Sequence, residues 1–405
     1  MIVRNMFDYF RCAGLVLCLV LMLGVGGGCA TRRHAGTRFR TAILRGNLPG
    51  VQAALAGDPT LATRPLSFRP KRELWKVDRY SPLMLAVMAR ENDWAGSGAP
   101  VPEIVALLLR HGANPNCHST TGWTPLSWSV YKNHLDAMRI LVRCGAKIDP
   151  TIHFDREALL IACVRGDVAM IDLLIRAGAD IHGVDQSPLS PGNTPLLVAH
   201  ERVVEQVLIH GATCKDRSES GLTVLHRAAS FTDPQLIKKL LTLAPDYTNS
   251  NCTDVAYLGT PLMVALRRQN GPAIRLLLKH GADVTVRDPV HGFSTLHMAC
   301  HWPTGKGASF DAIGALVEAG VDVAAVDNQG RTPLHWAVGR RRPEEVKQLI
   351  LANPSTVHLK DHAGDIPMII LERYLDGEYH RFVSKEELAR IKGVLLADGI
   401  MGGGR

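Results

Sequence analysis

The sequence predicts an all-α solenoid of about ten helix-turn-helix units joined by hairpin-like loops, and three observations carry that prediction. A short motif returns eight times along the 405 residues at near-constant spacing. Most copies are followed by a second apolar stripe that stops at a glycine. The composition, with 46% hydrophobic but only 5% aromatic residues, suits short helices packed through small side chains better than a β-sandwich.

Taken in order, the chain begins with a leader. Arg4 and Arg11 precede an apolar run from Cys12 to Val25, which ends in Gly26-Gly27-Gly28-Cys29. The run is short for a spanning helix, and a small-residue end after it fits the three-part pattern of a secretory signal. The Gly-Gly-Gly-Cys ending resembles the lipobox of bacterial lipoproteins, departing from it at Gly26, where leucine is commonest. That resemblance implies cleavage before Cys29, lipidation of Cys29, and a membrane-anchored protein of a bacterial envelope, with residues 1–28 as signal and 29–36 as tether. The alternatives are an uncleaved anchor in the inner membrane, for which Arg32, Arg33, Arg38 and Arg40 form an awkward positive flank, and cytosolic residence.

The repeats follow. "SPLMLAV", "TPLSWSV", "EALLIAC", "TPLLVAH", "TVLHRAA", "TPLMVAL", "STLHMAC" and "TPLHWAV" start at Ser81, Thr124, Glu157, Thr194, Thr223, Thr260, Ser294 and Thr332. Their separations scatter around a period of about 33 residues. Proline at the second position suits the first turn of a helix, where a missing N–H costs nothing, with the preceding threonine as N-cap. Second stripes such as "IVALLLRHGANPN" and "IRLLLKHGADVTV" end at a glycine suited to the left-handed position that stops a helix.

The pattern resembles the ankyrin repeat family, whose consensus joins an Asp-x-x-Gly turn, Thr-Pro-Leu-His-x-Ala on a first helix, and Gly-Ala after a second. The resemblance covers residues 37–400: an N-terminal capping unit at 37–59, repeats from about 77 to 355, and a C-terminal capping unit at about 361–400. It implies that His226, His297 and His335 make hydrogen bonds that tie neighbouring loops. It also implies a concave binding face, where partners meet positions that the fold does not fix. In this sequence the candidate partner-binding residues are Trp123, Tyr131, Lys132, Phe231, Arg267, Arg268, Phe293, His301, Trp302, Arg331 and Arg340.

These residues are aromatic and basic, the types that most often carry interface energy. They point to a partner protein with an acidic surface, or alternatively to an anionic envelope polymer. Insertions at 90–103 and 301–311 are candidate contact loops. The net charge of +8 is spread along the chain, and with no recognised module it does not indicate nucleic acid. No segment carries a nucleophile elbow, phosphate loop or HExxH, so no enzyme, cofactor or metal is expected. The nine cysteines include no CxxC pair. Cys144, Cys163 and Cys300 lie in apolar stretches and are expected to be small buried residues. The expected molecule is a monomeric interaction scaffold.

Overall fold

In four repeats a threonine that caps a helix and a proline that begins it set the start of the first helix. In the computed structural model, residues 30–67, 79–88, 101–185, 192–254, 258–301, 312–340, 342–376 and 389–395 are described. They include nineteen α-helices: α1 (Ala30–Leu44), α2 (Leu48–Gly57), α3 (Pro82–Met88), α4 (Val101–Arg110), α5 (Pro125–Lys132), α6 (Leu135–Arg143), α7 (His153–Arg165), α8 (Val168–Arg176), α9 (Pro195–Val198), α10 (Val204–Ile209), α11 (Val224–Ala228), α12 (Pro234–Leu243), α13 (Pro261–Arg268), α14 (Gly271–Lys279), α15 (Thr295–His301), α16 (Ala312–Glu318), α17 (Pro333–Gly339), α18 (Pro343–Ala352) and α19 (Pro367–Asp376). Odd-numbered helices are the first of each repeat and even-numbered ones the second. Among the described residues the all-α expectation holds apart from a two-residue antiparallel pairing, in which Leu66 faces Tyr80, and single antiparallel bridges at Cys252–Gly259 and Arg287–Ser294.

Contacts divide the described chain into two compact units. One comprises residues 30–185 with 205–211, the other 192–204 with 212–395. Within each unit, first helices pack on neighbouring first helices and second on second, with each pair also packed together. The core therefore runs between the layers. In the first unit it is built from residues such as Leu83, Leu126, Met138, Leu141 and Leu159, and in the second from Leu225, Leu240, Leu262, Leu296 and Leu334. A single helix pair cannot bury its apolar stripe, so each repeat depends on its neighbour.

The structure departs from expectation at three places. Residues 30–36 are already helical in α1, not a bare tether. Helix α7 begins at His153, one turn before the motif's Glu157, because no proline stops the helix from extending upstream. Cys144 caps the end of α6 and is exposed, whereas Cys163 and Cys300 are buried. Burial alone pushes the Cys163 thiol up to about 12. The repeat near residues 198–212 is about one helical turn short in sequence, and accordingly helix α9 is only four residues long and is followed by a 3-10 turn at Glu201–Val203. No described helix is long and apolar enough to cross a membrane.

The expected histidine ties are present. His335 Nδ1 accepts the Thr332 backbone N–H at 3.0 Å, so Nε2 carries the proton, and it donates to the Asp365 carbonyl of the next repeat at 3.0 Å. His226 binds Thr223 and the Gly259 carbonyl in the same way, and His297 binds Ser294 and the Arg331 carbonyl. The acceptor is in each case a carbonyl in the hairpin that leads into the next first helix. A glycine lets these hairpins come close: Gly221 has φ +83°, and a Cβ there would lie 2.5 Å from the Asn251 carbonyl oxygen.

Burial, the leading cause, lowers the pKa of His226 and His297 to about 4. The unfolded chain, with histidines near 6.5, binds more protons than the folded one between those values. Stability is therefore full above about pH 6.5 and is lost as pH falls toward 4, by roughly 3 kcal/mol per histidine. We expect the urea midpoint of the second unit to fall steeply from pH 7 to pH 4.5. A His226→Gln/His297→Gln variant should start lower at pH 7 and respond less to pH.

Candidate protein-binding face

The ends of the first helices and the turns before them carry most of the aromatic and basic positions expected to meet a partner. Two tryptophans, Trp128 on α5 and Trp336 on α17, occupy the same place in their repeats, four residues after the capping threonine. Both are half-buried. Their surroundings repeat one geometry with different chemistry.

In the first unit, Trp123 stacks on Trp128 with ring centroids 4.3 Å apart and on Phe154, from the next repeat, at 3.7 Å. Trp123 is thereby sandwiched and buried at 9% exposure. Tyr131 meets both indoles edge-on, at 5.5 and 5.6 Å. Lys132 places its ammonium 5.7 Å from the Trp128 ring centroid and 5.5 Å from that of Tyr131, within cation–π range. Beside them His153 contacts Glu157 at 3.1 Å, and burial, followed by the charge of Asp185, pushes Glu157 up to about 7.

In the second unit, Arg331 takes the place of Trp123. Its guanidinium lies 4.1 Å from the Trp336 ring centroid, the same stacking with a cation in place of a ring. Asp327 holds both: its Oδ2 accepts from Arg331 Nε at 3.0 Å and from Trp336 Nε1 at 2.9 Å. Burial raises the Asp327 pKa, but these donors and the backbone N–H groups of Arg331 and Gln329 outweigh it and hold the carboxyl below its usual range. In the first unit Ser119 forms the equivalent turn with one oxygen where Asp327 has two. The Trp128 indole N–H is consequently buried without a hydrogen-bond partner.

The remaining expected residues divide by environment. Phe231 and Phe293 are buried at 4% and 2% exposure, so with Trp123 they serve as packing beneath the face and offer no ring to a partner. Phe293 supports His301 and Trp336, with centroids 5.2 and 5.0 Å away. Arg267 is half-buried and donates to the Leu258 carbonyl, which leaves Arg268 as the exposed arginine of that pair. Arg340 is exposed, and its Nη2 lies 3.2 Å from His301 Nδ1. Trp302, Cys29 and nearly all of both inserted loops lie outside the described residues.

Among the described residues, no cluster of three metal-ligating side chains occurs. The sequence reading missed Trp128, Phe154 and Trp336. The two tryptophans follow the motif's histidine slot, one position that the consensus leaves open, and this was the available signal.

Models of ankyrin repeats match residues 41–152, 83–185, 196–288 and 225–326, and a further one matches 306–350. The chain belongs to the ankyrin repeat family. Ankyrin repeats are protein-binding modules, and the fold is typically a non-enzymatic scaffold. The chain is similar to the human transient receptor potential cation channel subfamily A member 1, at 24% identity over 67% of this chain and 25% of that protein. It is also similar to the putative ankyrin repeat protein FPV031 of fowlpox virus, at 31% identity over 37% of this chain and 45% of that protein. Among solved structures, the ankyrin repeat domain of Bcl-3 matches at 24% identity with a TM-score of 0.40, covering 58% of this chain and 97% of that domain. The matched part spans less than half the length of these curated relatives.

The two ankyrin tryptophans should respond differently to loss of the indole N–H. Trp336→Phe removes a bond to a buried carboxylate and should cost about 1–2 kcal/mol. Trp128→Phe removes an unsatisfied buried donor and should be close to neutral. Urea denaturation of both variants measures the difference.

Proposed function

We propose that this ankyrin chain is a non-enzymatic scaffold that binds partner protein through the first-helix face of each of its two units. The observation that carries this reading is the pair of half-buried tryptophans at one repeat position, each backed by buried rings and flanked by cations. Trp128, Tyr131 and Lys132 form one patch, and Trp336, Arg331 and Arg340 the other. Such patches combine large apolar area with directed polar groups on a rigid support, which is the usual make-up of an interface hot spot. Trp123 supports the first patch from below and Phe293 the second, and Arg268 and His301 extend the second one.

The leader supports a finer reading, in which Cys29 carries lipid and tethers the scaffold to a bacterial envelope membrane. The run of Arg4, Arg11, the apolar stretch and Gly-Gly-Gly-Cys29 is the basis for it. Metabolic labelling with an alkyne fatty acid tests the tether. The wild-type chain should incorporate label and partition into membranes, and Cys29→Ser should do neither; equal labelling of both would remove the tether.

The binding face is tested by affinity capture from extracts of the native cells. One bait is the wild-type chain, the other carries Trp128→Ala, Tyr131→Ala, Trp336→Ala and Arg340→Ala. With both baits equally folded by circular dichroism, a protein retained by the first and lost by the second is the expected result. Equal capture would rule out this face, and retention of a polysaccharide instead of a protein would favour the anionic-polymer alternative.

A further inference from the structure

We propose that the second unit docks an extended acidic segment of the partner across the row formed by Arg268, His301 and Arg340, beside the face of Trp336. This rests on the protein-binding reading above and names the chemistry that the face would select. Arg268 lies in the last turn of α13, His301 in the last turn of α15, and Arg340 caps the end of α17. These three helices pack side by side, so their ends form one line. Adjacent helix axes are about 8–10 Å apart. The line from Arg268 to Arg340 is therefore roughly 20 Å, which an extended chain rising about 3.3 Å per residue covers in about six residues.

The charges in this row are uncompensated in a way that their neighbours are not. Arg331 is paired with Asp327 at 2.9 Å and Arg342 with Glu345 at 3.1 Å. Among the described residues, no carboxylate pairs with Arg268 or Arg340, and both side chains are exposed. Arg340 instead places Nη2 3.2 and 3.4 Å from the two ring nitrogens of the neutral His301, a weaker partner than a carboxylate. His301 reports the same imbalance: burial first, then Arg340, His291, Arg331 and Arg342, hold its pKa down to about 4. A carboxylate entering beside Arg340 would supply the missing negative charge. The half-buried Trp336 ring, 4.7 Å from His301, offers apolar area to the residue next to it. That combination of ring and cations favours a peptide over a purely anionic polymer.

The test uses the full chain and a fluorescein-labelled peptide of about ten residues, with two glutamates about six positions apart and leucine between them. The same peptide with lysines in place of glutamates is the control, and fluorescence anisotropy at low and high salt is the readout. The acidic peptide should bind and the lysine peptide should not. Arg340→Glu and Arg268→Glu should each weaken binding by about tenfold or more, Arg340→Lys should weaken it less, and Trp336→Ala should weaken it at both salt concentrations. Absence of binding to the acidic peptide, or undiminished binding in both glutamate variants, overturns the inference. So does tighter binding of polygalacturonate that ignores Trp336→Ala. If the peptide fails while protein capture still depends on Trp128, Tyr131 and Trp336, the protein-binding reading stands and only the acidic segment is lost.

Discussion

A hydrogen bond from one repeat's capping residue cluster to the next repeat's hairpin carbonyl sets the geometry on which the binding face depends. In the second unit it runs through His226, His297 and His335, each neutral and each fixed in one tautomer by a backbone N–H that can only donate. The imidazole spans the gap because its two nitrogens point opposite ways. It locks the first turn of one helix to the strand-like approach of the following one. Once that register is fixed, the residue before the threonine and the residue after the histidine are placed beside each other. In that register Arg331 lies on Trp336, and Trp123 lies on Trp128 in a repeat that keeps the same turn with Ser127 in place of the histidine.

Where the histidine is missing, other polar groups make the connection. Ser127 is too short to reach the next repeat, and there the Thr124 hydroxyl donates at 2.6 Å to Asp155, a buried carboxylate on α7. Asp155 also accepts the Asp149 backbone N–H. Burial raises its pKa against the pull of these bonds. The extension of α7 by one turn, with no proline to prevent it, is what brings Asp155 into reach. The tie therefore changes donor and acceptor while the repeats keep their spacing.

The repeat architecture was legible because its causes are local. Threonine before proline, glycine after an apolar stripe and a period of about 33 residues each act within one or two turns of chain. The candidate site was only partly legible because depth is not local. The sequence placed Trp123, Phe231 and Phe293 at variable positions on the correct face, yet Phe154 from the following repeat closes over Trp123, and His291 and His297 flank Phe293. Charge was overestimated for the same reason. Arg165 donates to the carbonyls of Val130 and Tyr131 at the end of α5, backbone that a short helix leaves open, and Arg267 donates to the Leu258 carbonyl just before α13. Counting arginines on a helix end does not separate those that cap from those that face water.

The repeat containing α9 also lacks the histidine tie. Leu197 occupies the histidine slot, and the Thr194 hydroxyl and the Asn193 side-chain oxygen beside it are buried without partners. The first helix there closes after four residues. The connection to the following repeat is made instead from the far end. Arg227 donates to the Val198 and Ala199 carbonyls, and the Glu201 carboxylate accepts from the Thr232 and Asp233 backbone N–H groups at the start of α12. Long charged side chains replace a rigid ring, and they lose more rotamer freedom for each bond formed.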